Sequence, residues 1–291
     1  MAGWPVFRAF QPLVARVPLA AAYAAAGVVV PLASPFARRP LGHLRANLRR
    51  VLPELSTVEL ERLLRANLRE YLRDYVDLMR LPSVSTPELA ARVEFEGEAN
   101  LWAALSHGRG ALFLSVHAGP WELVAAAAGR RLVPASILAE ELQPPAMMEW
   151  YRRTRGRFNL SVLPLNRGGL RQALKALERN EIVVAAIDRD ILGSGARLDF
   201  FGAPAPIPTG PASIALRRSV PIIPFSARRL PDGRCLGEAG EPILPHQTGG
   251  DLATEVSQLT ARVLRLLEAR IRAHPDQWHV LHSIWEPKEE R

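Results

Sequence analysis

The sequence predicts an α/β domain, with a mainly parallel central sheet flanked by helices and a helical segment ahead of it. Three observations carry that prediction. Residues 111–116, 182–187 and 220–227 are short apolar runs of the kind found in strands covered on both faces. Helical stretches alternate with them, as at 169–180, where Leu170, Ala173, Leu174 and Leu177 share one face. Polar residues follow two of the runs directly, His117 after the first and Asp188-Arg189-Asp190 after the second. Alternation of this kind puts strand carboxyl ends on one side of the sheet, where ligands of open α/β sheets bind.

The chain opens on an uncharged run at 17–34, VPLAAAYAAAGVVVPLAS, with Arg8 and Arg16 before it and Arg38 and Arg39 after. A membrane-spanning helix is disfavoured because Pro18 and Pro31 bracket the run and alanine is only weakly hydrophobic. A secretory signal would start the mature chain in the basic stretch 38–50, and ranks lower still. The preferred reading is a helix packed on the core or lying on a membrane surface with its apolar face down. Residues 1–40 are therefore expected to be a membrane-associating segment, and 41–291 the main domain.

Residues 41–81 read as helical, interrupted by Pro53 and restarted at Ser56 or Thr57, with Glu59 in the new first turn. Leu60, Leu64, Leu68, Leu72 and Val76 form an apolar stripe beside a basic row of Arg62, Arg65, Arg69 and Arg73. Glu70, Asp74 and Asp77 are expected to pair along the same helix, as on an ordinary solvated face. Then come a strand at 93–97, a helix at 99–106, the 111–116 strand, and a helix at 121–129. Strands at 131–138 and 160–163 flank a helix at 144–157. An extended proline-rich loop follows at 198–208, then helices at 211–219 and 251–273 around the 220–227 strand.

Composition narrows the function classes. Lys and Arg outnumber Asp and Glu by 37 to 29, so an anionic partner such as an acidic phospholipid surface fits, while no aromatic-basic interleaving points to nucleic acid. One cysteine, Cys235, excludes an internal disulfide and a cysteine-based zinc cluster. His274, His279 and His282 sit among aromatic residues, a setting for packing or membrane contact more than for a metal. No GxSxG elbow is present.

The run ALFLSVHAGPWE passes from strand through a Gly-Pro turn into a helix, leaving His117 at the strand end and Glu122 one turn into the helix. An imidazole beside a carboxylate can serve as a general base, although such a pair is equally a cap and a hydrogen-bonded histidine. This run, with RLPSVSTPELAARVEFEGEANL, YRRTRGRFNLSVLPLNRGG, EIVVAAIDRD, LDFFGAPAPIPTGPASIALRRSVPIIP and PDQWHVLHSIWEP, resembles ordered blocks of the lipid A biosynthesis acyltransferases over roughly residues 40–287. Within that family it is most similar to the phosphatidylinositol mannoside acyltransferases.

The resemblance implies a glycerolipid acyltransferase-like fold. It also implies transfer of a long-chain acyl group from acyl-CoA or acyl carrier protein to a hydroxyl of a membrane glycolipid, at the cytoplasmic face of the plasma membrane. Neither a metal nor any cofactor besides the thioester co-substrate is implied. His117 matches the general base, Glu122 the acid of the HxxxxE motif, and Asp188 the position of a glutamate that contacts the histidine. The resemblance thus assigns orientation of His117 to Glu122 together with Asp188. Arg155 matches an arginine near the active site and Asp190 an acid of a DxD-like block. Arg152, Arg155 and Arg157 are candidate donors to a developing oxyanion or to lipid phosphate. A deep apolar groove with a basic rim should lie beside His117. A thioesterase or lipid hydrolase, and a non-catalytic membrane-attached lipid-binding protein, are the alternatives.

Overall fold

The computed structural model describes residues 3–33 and 38–285. The first part is helical: α1 (Gly3–Arg16), α2 (Leu19–Ala33), α3 (Arg38–Val51), α4 (Thr57–Arg80) and α5 (Thr86–Arg92). The rest alternates, as β1 (Val93–Glu96), α6 (Glu98–Leu105), β2 (Ala111–Ser115), α7 (Trp121–Arg131), β3 (Ala135–Ala139), α8 (Pro145–Gly156), β4 (Leu160–Pro164), α9 (Arg167–Glu178) and β5 (Ile182–Ala186). It closes with β6 (Ala196–Phe200), β7 (Ala203–Ile207), α10 (Gly210–Arg218), β8 (Ile222–Arg229), β9 (Cys235–Ala239) and α11 (Leu252–Ala273).

The main sheet has the order β1-β9-β8-β2-β5-β3-β4. Five strands from β8 to β4 run parallel, and only β9, antiparallel to β8, and β1, parallel to β9, run the other way. The mainly parallel sheet read from the sequence is the one observed. Side chains alternate across it, as the pleat requires. Leu112, Leu114, Val183 and Ile222 pack on one face with Leu264 and Leu267 of α11 and Leu60 and Leu64 of α4. Phe113, Ile182 and Ile223 face the other way, toward Leu101 of α6. Each fully buried Leu or Phe contributes about 1.5–3 kcal/mol relative to exposure.

Helix starts follow local chemistry. Ser56 and Glu59 form a reciprocal capping box at α4, Asn166 accepts from two backbone N–H groups at α9, and Asp251 caps α11.

Several expectations need correction. The strand expected from residue 131 starts only at Ala135, because α7 runs on to Arg131 with Arg130 and Arg131 in its last turn, favourable to the helix dipole. The expected loop at 198–208 contains a two-stranded hairpin, β6 and β7. Pro204 and Pro206 oppose Asp199 and Arg197, so they occupy alternate positions of β7 and leave Ala203, Ala205 and Ile207 as its residues with N–H groups. Cys235 begins β9 and is buried, and burial pushes its thiol up to about 12.

The acidic residues of α4 also behave differently from a solvated face. Glu70 pairs with Arg73 along the helix at 2.7 Å, as expected. Asp74 and Asp77, however, reach across to the buried Arg229 of β8, at 2.7 and 2.9 Å, and Asp77 also binds Arg92 at 2.6 Å. Tyr23 of α2 donates its hydroxyl to Asp77 and receives Arg229 and Arg92 on its oxygen, so α2 is stapled to the core through a buried polar network. Among the described residues no helix is long and apolar enough to cross a membrane. Helix α1 leaves Val6, Phe10 and Leu13 exposed along one side. Ser34, the end of the uncharged run, lies outside the described residues.

Candidate active site

Strand β2 delivers His117 to the carboxyl edge of the sheet, and its neighbour β5 delivers Asp188. Their parallel register pairs Ser115 with Ala186, so two residues further on His117 stands level with Asp188. The chain then turns at Gly119, whose φ is +64°. A Cβ there would lie 2.2 Å from the Ala227 carbonyl oxygen, so the turn requires glycine. A segment from far along the chain covers this turn. The Gly119 N–H donates to the Gln277 carbonyl, Ala118 bridges Trp278, and the His279 N–H donates to the His117 carbonyl at 2.8 Å.

Asp188 is fully buried and makes three hydrogen bonds. Its Oδ1 accepts from His117 Nδ1 at 2.7 Å, and its Oδ2 accepts the His117 backbone N–H at 2.9 Å and the Trp278 indole N–H at 3.0 Å. Burial opposes charge on Asp188, but His117 and these donors outweigh it and hold the carboxyl below its usual range. Burial likewise pulls the imidazole down, and the Asp188 charge and hydrogen bond more than offset it, leaving the His117 pKa raised. With Nδ1–H committed to a carboxylate, the neutral ring presents its lone pair at Nε2. The side chain is 32 % exposed and faces open space.

Glu122 does not share this work. Arg155 of α8 donates to both of its oxygens, Nε at 3.0 Å and an Nη at 2.5 Å, in a buried fork-on-fork pair. The Arg155 guanidinium is also sandwiched between the Trp121 and Tyr151 rings, 4.8 Å from each centroid. The hydrogen bonds on the imidazole therefore come from Asp188 alone of the two acids the sequence offered.

Two cavities meet at His117. The first, about 310 Å³, runs between the sheet and α7. Alternate residues of β5 (Ile182, Val184, Ala186) floor it, and Ala125 and Ala128 of α7 are too small to fill the space above. Its lining is apolar apart from a few residues such as Glu122 and Arg155, with Arg189 and Glu140 3.7 Å apart, so the rim is mixed where a basic one was expected. The second cavity, also about 310 Å³, also borders His117, has a more polar lining than the first, and is bounded by α4 and the segment around His279. His117, Trp121, Glu122, Tyr151 and Arg189 belong to both.

The remaining expected site residues lie elsewhere. Asp190 closes its own loop by accepting from the Ser194 and Gly195 backbones. Arg157 donates to the Pro82 carbonyl, and Arg152 is exposed and borders neither cavity. Sequence reading passed over Trp278, Arg189 and Tyr151. The signal for Arg189 was its place between two expected site acids, and for Trp278 its place in a histidine-rich aromatic segment.

A mainly parallel sheet thus carries a histidine-carboxylate pair at its carboxyl edge with a largely apolar cavity beside it. The bacterial lipid A biosynthesis acyltransferase family matches residues 4–286, and the chain belongs to that family. It is accordingly an acyltransferase. It is 30 % identical over 246 residues to the phosphatidylinositol mannoside acyltransferase of Mycolicibacterium smegmatis, covering 83 % of this chain and 78 % of that one. With the enzyme of the same description from Mycobacterium tuberculosis it shares 31 % over 248 residues, 83 % of this chain and 76 % of the other. Among solved structures it is similar to the 1-acyl-sn-glycerophosphate acyltransferase of Thermotoga maritima, at 20 % identity and a TM-score of 0.36, covering 83 % and 98 % of the two chains.

Proposed function

We propose that this acyltransferase moves a long-chain acyl group from a thioester, acyl-CoA or acyl carrier protein, to a hydroxyl of a membrane glycolipid such as a phosphatidylinositol mannoside. The observation that carries the reading is the meeting of a strongly apolar cavity and a more mixed one at an imidazole whose Nδ1 is held by Asp188. His117 Nε2 takes the proton of the acceptor hydroxyl as its oxygen attacks the thioester carbonyl. The tetrahedral oxyanion then collapses, the carbon–sulfur bond breaks, and the imidazolium proton goes to the leaving thiolate. Asp188 stabilises the imidazolium and fixes its tautomer. Arg189, which borders both cavities, is a better placed candidate oxyanion donor than Arg155, which Glu122 already occupies.

The acyl chain belongs in the apolar cavity, where each buried methylene contributes about 0.8 kcal/mol. Ten of them would supply about 8 kcal/mol, equivalent to micromolar binding. Helix α1, with Val6, Phe10 and Leu13 exposed and Arg8 and Arg16 on the same helix, suits a peripheral seat on the anionic cytoplasmic leaflet of the plasma membrane. In this reading residues 1–40 attach and 41–291 catalyse. Incubation with palmitoyl-CoA and a mannosylated phosphatidylinositol should give an acylated product with the wild-type chain and none with His117→Ala. Undiminished turnover by the variant removes the base assignment, and free fatty acid as the sole product replaces transfer by thioester hydrolysis.

A further inference from the structure

The apolar cavity spans the sheet from one edge to the other. Its lining passes from His117 at the carboxyl edge, over Val184 and Ile182, to Leu132 and Val133 at the opposite edge, where α7 has ended and β3 is about to begin. Glu96 and Glu98 line that far end as well. They reach it because β1 runs against the parallel strands, so its last residue and the start of α6 arrive where β2, β3 and β5 begin. An apolar channel thus ends on charge.

Glu98 closes across the far end. Its carboxylate pairs at 2.7 Å with Arg131, in the last turn of α7 on the other side of the channel. The Arg131 guanidinium also lies over the ring of Phe95, 5.6 Å from its centroid, and Phe95 is part of the lining. The turn that presents Glu98 is itself fixed. Gly97 takes a φ of +76° with no room for a Cβ against the Ala239 carbonyl, and the Asn100 amide donates to that same carbonyl at 3.0 Å. A hydrocarbon tail pushed into this wall would have to strip water from two charges, which costs more than its last methylenes return. The pair is partly exposed, so it adds little to the stability of the fold.

The sheet supplies a length. Ala111, level with Ile182, lies six residues before His117, which is about 20 Å at about 3.3 Å per residue. An extended chain advances about 1.2 Å per bond, since a stretched backbone covers about 3.3–3.6 Å in three bonds. A straight tail with its thioester at His117 therefore meets the ion pair after about sixteen bonds.

We propose that the Glu98–Arg131 pair, braced on Phe95, is the end stop of the acyl cavity and sets the longest chain that the cavity takes in full. The inference rests on the reading that the acyl chain occupies this cavity, and adds to it the residues that measure the chain.

Binding tests it without turnover. Calorimetric titration of the full chain with uncleavable S-alkyl-CoA thioethers, from dodecyl to docosyl, should show affinity rising about fourfold per methylene until the tail meets the pair, and level beyond it. In Glu98→Ala and Arg131→Ala the rise should continue, so that the eicosyl thioether binds roughly tenfold tighter than to the native chain while the dodecyl one is unchanged. Arg131→Lys keeps the charge and should keep the native limit. Arg131→Ala, at the more exposed partner, decides the matter if Glu98→Ala disturbs the start of α6. A limit that stays put in Arg131→Ala, an equal change at every length, or no dependence on length at all would overturn the assignment. A limit that moves while no donor yields an acylated lipid would leave the end stop intact and remove the transfer reading alone.

Discussion

The Asp188 carboxylate grips His117 twice, one oxygen on the ring Nδ1 and the other on the backbone N–H of the same residue. A single acid thereby sets the ring's tautomer, its rotation and its charge. Asp188→Asn should lower kcat by about ten-thousandfold, the scale seen when an orienting carboxylate is neutralised in a serine-protease triad. Steady-state kinetics with thermal unfolding as a fold check decides it, and a loss under tenfold would contradict the orienting role.

The same pair sets a pH dependence. A general base must be neutral, and the His117 pKa lies above its ordinary 6.5. Activity should therefore climb with pH through a midpoint above 6.5, measured as the acid limb of kcat/KM. Stability runs the other way. The raised imidazole contributes fully below 6.5 and loses its contribution as pH rises through its folded pKa, while the lowered Asp188 contributes above 3.8 and loses its share on acidification. The Tm advantage of the native chain over His117→Gln should peak between those two values.

Glu122 offers a contrast. It is bound to Arg155 and not to the imidazole, so Glu122→Gln should leave the acid limb where it is while destabilising the fold by about 3–5 kcal/mol, the cost of stranding a buried cation. Denaturant unfolding and a pH profile on one preparation separate the two effects. A moved limb would restore Glu122 as a partner of the base.

Ala125 and Ala128 leave the space above β5 open. Ala128→Phe should fill part of it, so that long donors lose turnover while short ones keep it, at about 0.8 kcal/mol per methylene excluded. A series of acyl-CoA lengths gives the answer, and an unchanged preference would place the chain elsewhere.

Arg229 ties Asp74, Asp77 and Tyr23 together. Arg229→Met should cost about 3–5 kcal/mol by leaving buried carboxylates uncompensated, and it should expose α2 to protease. Tyr23→Phe removes only hydrogen bonds and should cost about 1 kcal/mol.

What the sequence revealed was local. The strand-turn-helix at 111–122 was readable because an apolar run, a glycine and a proline mark it without reference to anything distant. The choice between Glu122 and Asp188 was not, since the resemblance assigned the orienting role to both. Sheet register decides the matter, by setting Ser115 against Ala186 and hence His117 level with Asp188. Asp74 and Asp77 were misread for a related reason: helix periodicity shows which residues share a face but not that β8 brings Arg229 to it. The aromatic, histidine-rich setting of Trp278 marked the segment, but its bond to Asp188 needed the tertiary fold.

The lid that Gln277, Trp278 and His279 form over the Gly119 turn gives the centre an order of assembly. A ribosome emits His117 and Asp188 well before the indole that braces them, so a nascent chain already carrying the histidine and its acid still lacks a finished centre. Fragments cut short of that tryptophan should therefore lack acyl-transfer activity.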